Sequence, residues 1–123
     1  MSARTQPAGI LIIGCGAAAR LHSRTLRRIG GVELFYASRD AARAEAYARR
    51  FGGRGAFGSY ADALAQSAVD VALIATPTVT HRELAIQALR AGKHVIVEKP
   101  AFMQSGDADA VRHVAADAGG RLF

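Results

Sequence analysis

The chain predicts an α/β fold, a doubly wound parallel sheet, and three features carry that expectation. Apolar runs of strand length alternate with segments of helical period almost from end to end. Val69 to Ala75 is nearly unbroken in its apolar character, which suits a parallel strand buried on both faces. Ile10–Ile13 runs straight into Gly14-Cys15-Gly16-Ala17-Ala18-Ala19: a strand, a tight turn and a helix start in succession.

The elements follow in order. After the first strand, a helix is expected from Ala17 to Ile29, with Ala18, Leu21, His22, Thr25, Leu26 and Ile29 toward the sheet, stopped by Gly30-Gly31. Val32–Ala37 is the second strand. Asp40 caps a helix over Ala41–Phe51 whose inner face is Ala44, Tyr47, Ala48 and Phe51. A brief third strand lies near Ala56-Phe57. Ser59 and Asp62 form a capping box for a short helix through Leu64. Val69–Ala75 is the fourth strand, stopped by Thr76-Pro77. Thr80 and Glu83 form a second capping box, with Val79 and Leu84 as its hydrophobic staple, for a helix to Ala91. His94–Glu98 is the fifth strand. Ser105 caps a last helix with Asp107 and Asp109 in its first turn and Val111, Val114, Ala115 and Ala118 inward.

At 123 residues the chain is read as one domain, 1–123. Residues 1–8 form a flexible polar start, and 121–123 open a sixth strand that is cut short. Half the residues are hydrophobic and a fifth are charged, a globular composition rather than a disordered one. The single cysteine, Cys15, has no partner for an internal disulfide, in keeping with a reducing compartment. The apolar run at Ile10–Ile13 is too short for a signal peptide or a membrane span, so a cytoplasmic protein with no membrane partner is expected. The net charge is +6, but the arginines are scattered and no basic run is interleaved with aromatics; nucleic acid is not the expected partner.

Chemistry gathers at predicted strand ends. Gly14-x-Gly16-x-x-Ala19 is a dinucleotide-binding fingerprint. Gly14 permits the turn, Gly16 lets the backbone approach a diphosphate, and Ala19 lets the helix pack closely. The N–H groups at Ala17, Ala18 and Ala19 then attract the anion. NAD sites place an Asp or Glu at the end of the second strand for the ribose 2′-hydroxyl. Here Ser38-Arg39 stands there, with Arg43 one helical turn on. A hydroxyl and a guanidinium suit a 2′-phosphate, so NADP is expected rather than NAD. The bland alternative has Arg39 and Arg43 pointing to solvent. Glu98-Lys99-Pro100 ends the fifth strand. Lys99 can donate to a substrate hydroxyl or carbonyl while hydride moves, and Pro100 fixes the chain's exit. His22 and His94 are read as packing residues or as making a capping hydrogen bond, and His113 as solvent-facing.

Gly14-x-Gly16-x-x-Ala19-x-x-His22, Ala75-Thr76-Pro77, His81, Ala91-Gly92-Lys93-His94-Val95 and Glu98-Lys99-Pro100 together resemble the Gfo/Idh/MocA oxidoreductases, from Ile10 to Phe123. The resemblance implies a Rossmann-type domain in which Lys99 is the catalytic-site lysine and Glu98 sits near the nicotinamide ribose. It further implies that Thr76 and Pro77 line the nicotinamide pocket, with His81 nearby. Family members continue into an α+β domain that supplies most of a sugar-like substrate's pocket, a catalytic Asp and His and the oligomer interface. This chain is therefore expected to be the nucleotide-binding domain of an NAD(P)-dependent oxidoreductase, inactive alone. A homo-oligomer, or a partner chain supplying the missing domain, is the expected assembly. The competing reading is a non-catalytic NAD(P)-binding sensor or one half of a split enzyme.

Overall fold

Strand β1 (Ala8–Ile13) needs cover on both sides. Leu11 and Ile13 project to one face and Ile10 and Ile12 to the other, and all four are buried. A computed structural model describes residues 6–123. It places β1 in the middle of a five-stranded sheet of order β3-β2-β1-β4-β5. Its neighbours are β2 (Val32–Ala37), β3 (Gly55–Phe57), β4 (Val71–Ile74) and β5 (His94–Val97), and every pairing is parallel. This is the predicted doubly wound sheet.

Helices α1 (Ala17–Leu26) and α2 (Ala41–Phe51) cover one face, setting Ala19, Ala44 and Phe51 against Ile10, Ile12, Leu34 and Tyr36. Helices α3 (Tyr60–Leu64), α4 (His81–Arg90) and α5 (Ser105–Ala118) cover the other, where Leu64, Leu89 and Val111 join Leu11, Ile13 and Ile74. From β1 the chain steps outward through β2 and β3. It then returns across β1 to lay down β4 and β5, so strand order reverses between β1 and β4. Register aligns the strand ends: Ile13 pairs with Ala37 and with Ile74, and Ile74 with Val97. The residues that follow, Gly14, Ser38, Ala75 and Glu98, therefore emerge side by side along one edge. Arg121–Phe123 hydrogen-bonds along β5, with Leu122 paired parallel to Val95 in an isolated bridge.

Several expectations need correction. Helix α1 ends at Leu26 rather than Ile29; Arg28 and Ile29 donate to Thr25 and Leu26 in a tightened last turn. Its inner face is Ala19, Ser23 and Leu26, while Leu21 is 64% and Ile29 50% exposed. Seating the small Ala19 against the strand fixes the helix phase. Ser23 is then buried, and its hydroxyl donates to Ala19 O (2.7 Å) and accepts from the Tyr36 hydroxyl (2.8 Å). Thr80 makes no cap for α4, because its hydroxyl donates to Pro77 O (2.7 Å) within a 3₁₀ turn over Thr78–Thr80. Val79 is 71% exposed and forms no staple. The N-cap of α5 is Gln104, not Ser105; the Asp107 carboxylate accepts from Gln104 N (3.2 Å). Ala118 is exposed. Of the expected flexible segment 1–8, residues 1–5 lie outside the described residues, and Ala8 already belongs to β1. The caps at Asp40 and Ser59 form as expected, onto Ala42 N (3.0 Å) and Asp62 N (3.3 Å).

Candidate functional site

The glycine turn stands where the strand order reverses. Gly14 has φ +103°, and a Cβ there would come within 2.9 Å of Ala75 O and 3.0 Å of Thr76 Cγ2. Only a residue without a side chain lets the ends of β1 and β4 approach in this way. Gly16 is the N-cap of α1, with extended backbone, and a Cβ on it would meet nothing within 4 Å. The first helical bond runs from Arg20 N to Gly16 O (3.1 Å). No side chain among the described residues caps α1. The N–H groups of Ala17, Ala18 and Ala19 have no intrahelical partner, and the positive end of the helix dipole faces open space.

Beside this turn, β2 delivers Ser38, Arg39 and, through α2, Arg43. Ser38 is buried and its hydroxyl oxygen accepts from Asp40 N (3.1 Å). The Asp40 carboxylate is turned away to cap α2. Arg39 and Arg43 are exposed. With Gly14, Gly16, Ser38 and Thr76 they border a cavity of about 240 Å³. Arg39, Tyr60, Thr76 and Pro77 also line an adjoining cavity of about 540 Å³, whose walls include Val79 and Leu84. A groove bordered by two arginines thus opens into a mainly apolar one. Cys15 lies in the first; burial pushes its thiol pKa up, and nearby Arg43 only partly opposes this.

The ends of β4 and β5 complete the edge. His81 is 1% exposed and stands between two carbonyls, with Nε2 2.7 Å from Thr76 O and Nδ1 2.8 Å from Ala101 O. A neutral ring can donate at only one nitrogen. His81 ties the turn after β4 to the loop after β5 and shows almost no surface of its own. The Glu98 carboxylate pairs with His22 Nε2, reaching across from α1. That hydrogen bond, with smaller help from Lys99 N–H and the charge on the two histidines, holds the Glu98 carboxyl below the usual range. Lys99 is exposed at the same edge, and the Lys99–Pro100 peptide is cis. Lys93 is buried inside the fold instead, donating to Gln66 O (2.8 Å) and Val69 O (2.7 Å). A further cleft of about 410 Å³ lies at the amino ends of the strands, where its Arg54 and Glu33 are already paired at 2.8 Å. It is remote from the glycine turn. Among the described residues no His, Cys, Asp and Glu cluster could hold a metal ion, and no helix is long and apolar enough to cross a membrane.

Every predicted site residue except His81 and Ala19, both buried, therefore lies open on, or borders, one edge. His22, expected to pack or cap, joins that edge through Glu98. His94 accepts a hydrogen bond from Arg121 N (3.1 Å), beyond the end of α5, and His113 is exposed. Sequence reasoning missed Tyr60, Val79 and Leu84. The available signal was position: each belongs to a turn or helix start that follows a strand's carboxyl end.

Residues 8–123 match the model of the Gfo/Idh/MocA oxidoreductases, described as an oxidoreductase family with an NAD-binding Rossmann fold. The chain belongs to this family. The 4-carboxy-2-hydroxymuconate-6-semialdehyde dehydrogenase of Sphingobium sp. (strain NBRC 103272 / SYK-6) is 39% identical over 103 residues, which cover 83% of this chain and 33% of that protein. Among solved structures, KijD10, a 3-ketoreductase from Actinomadura kijaniata in complex with NADP and TDP-benzene, superposes with a TM-score of 0.90 at 33% identity. That match covers 96% of this chain and 37% of KijD10. GenD2 from gentamicin A biosynthesis, in complex with NAD, gives a TM-score of 0.89 at 31% identity, covering 98% of this chain and 35% of GenD2. The chain thus spans about a third of the length of these proteins.

Proposed function

We propose that this Gfo/Idh/MocA chain is the cofactor-binding part of an oxidoreductase that moves hydride between NADP(H) and a sugar-like alcohol or ketone. The observation that carries the reading is the uncapped start of α1, set in the crevice where strand order reverses and with open space at Gly16. A dinucleotide fits the residues present. Gly14, Gly16 and the N–H groups of Ala17–Ala19 receive the diphosphate. Arg39 and Arg43, with Ser38 at the groove wall, receive the 2′-phosphate, since the carboxylate that follows them at the end of β2, Asp40, is committed to α2. The apolar cavity beside Tyr60, Pro77 and Leu84 suits the adenine. Thr76 and Pro77, which line both cavities, lead from the adenosine half toward the nicotinamide, and His81 holds that turn in place from behind.

When bound, the nicotinamide supplies the hydride donor or acceptor. Glu98, kept ionised by His22, accepts from a ribose hydroxyl. Lys99 donates to the substrate oxygen and stabilises negative charge that develops there. The remaining pocket, including the partner for proton transfer, comes from a further domain or a second chain. Supporting the substrate class, KijD10 is a ketoreductase crystallised with a TDP compound.

Calorimetric titration with NADPH and NADH tests the cofactor assignment. NADPH is expected to bind more tightly. Arg39→Asp is expected to cost NADPH at least roughly ten-fold in affinity, the scale of a lost charged hydrogen bond, and to spare NADH. Equal binding of both cofactors by both proteins would mean that the 2′-phosphate does not meet Arg39.

A further inference from the structure

We propose that Tyr47 is a positioning residue for the cofactor diphosphate, acting through the Gly16 carbonyl. The proposal rests on the reading that the start of α1 receives the diphosphate. Tyr47, on α2, donates its hydroxyl to Gly16 O at 3.1 Å. The same carbonyl accepts the first helical bond from Arg20 N. Gly16 has no side chain with which to cap its own helix, and nothing stands within 4 Å of where a Cβ would be. Within α1 its peptide plane is held by the Arg20 bond, and the Tyr47 hydroxyl is a second restraint on it from outside the helix.

The carbonyl of Gly16 and the N–H of Ala17 belong to one rigid peptide unit and point in opposite directions. Fixing the oxygen on Tyr47 therefore fixes where the Ala17 N–H is aimed. Tyr47 is itself well held. Its ring packs edge-on against Tyr36 (5.9 Å, 67°) and Phe51 (5.7 Å, 64°). Two turns further along α1, the Tyr36 hydroxyl reaches Ser23, which donates to Ala19 O. Two tyrosine hydroxyls thus bind the opening turns of α1 to β2 and α2. Tyr47 touches Gly16 from the α2 side and is absent from both cavity walls, so it acts on the ligand only through that peptide.

The test is Tyr47→Phe in the whole chain, which keeps the ring packing and removes one hydroxyl. Affinities are measured for NADPH, for NADH and for adenosine 2′-monophosphate, which lacks the diphosphate. The expected result is a loss of roughly three- to ten-fold for both dinucleotides by the same factor, the scale of one hydrogen bond. Binding of the monophosphate stays unchanged. The Ala17 amide resonance of the unliganded protein is also expected to move in the variant. Unchanged dinucleotide affinity, or an equal loss for the monophosphate, would overturn the proposal, the latter by pointing to a general loosening of the fold. If the unsubstituted chain binds neither dinucleotide, the proposed function itself fails, and this inference with it.

Discussion

An alanine at position 14 has to hold φ near +103° and place its Cβ 2.9 Å from a backbone oxygen, whereas one at position 16 meets nothing. Gly14→Ala is therefore expected to cost about 1–3 kcal/mol of stability from backbone strain alone. Gly16→Ala is expected to leave the urea midpoint nearly unchanged while its methyl group obstructs the diphosphate. Parallel denaturation and NADPH titration separate the two; a Gly16→Ala protein with normal affinity would show that the space above α1 is not a ligand's. At Glu98 the folded carboxyl sits below its unfolded value of about 4.3. Its pairing with His22 thus contributes stability above that pH and loses it as pH falls through the folded value. Both side chains are about a third exposed (34% and 31%), so the contribution is screened and is best read by carboxyl NMR. His22→Leu is expected to raise the Glu98 titration toward the ordinary value. No movement would separate the two groups.

Helix α1 is the element whose details the bare sequence conveyed least well. Its start was legible, because glycine spacing and the preceding apolar run leave few alternatives. Its inner face was not, because hydropathy counts Ser23 as polar and Leu21 as apolar, while the structure buries the first and exposes the second. What reverses them is the Tyr36–Ser23–Ala19 chain of hydrogen bonds, a long-range arrangement with no local pattern. The reach of His22 to Glu98 and of Tyr47 to Gly16 was hidden for the same reason. By contrast, the glycine turn, Arg39, Thr76-Pro77 and Lys99 could be placed together from strand ends alone. The buried chain also makes an asymmetric prediction. Tyr36→Phe leaves Ser23 still donating to Ala19 O and is expected to cost about 0.5–1.5 kcal/mol. Ser23→Ala strands a fully buried phenol hydroxyl and is expected to cost more, about 1–3 kcal/mol. Urea denaturation of both variants checks the order, and the reverse order would mean that the tyrosine hydroxyl finds another acceptor.

At the scale of the whole molecule, the edge gathers a cofactor groove and the candidate catalytic cation Lys99, whose nearby carboxylate among the described residues, Glu98, is already engaged by His22. The chain alone is accordingly expected to bind NADPH and to turn over neither polyols nor ketones. Saturating cofactor, at a hundred times its dissociation constant, is expected to add about 2.7 kcal/mol to unfolding stability. Nucleotide absorbance at 340 nm, followed with a panel of such substrates, reads the second half; steady turnover would show that the pocket is already complete.

The reversal of strand order at β1 and β4 has a consequence for growth and loss of sequence around this domain. The crevice is flanked by the two innermost strands, so material can be added beyond β3 or beyond Leu122 without touching it. A groove housed at the centre of its sheet is thereby insulated from whatever is gained or lost at the sheet's margins.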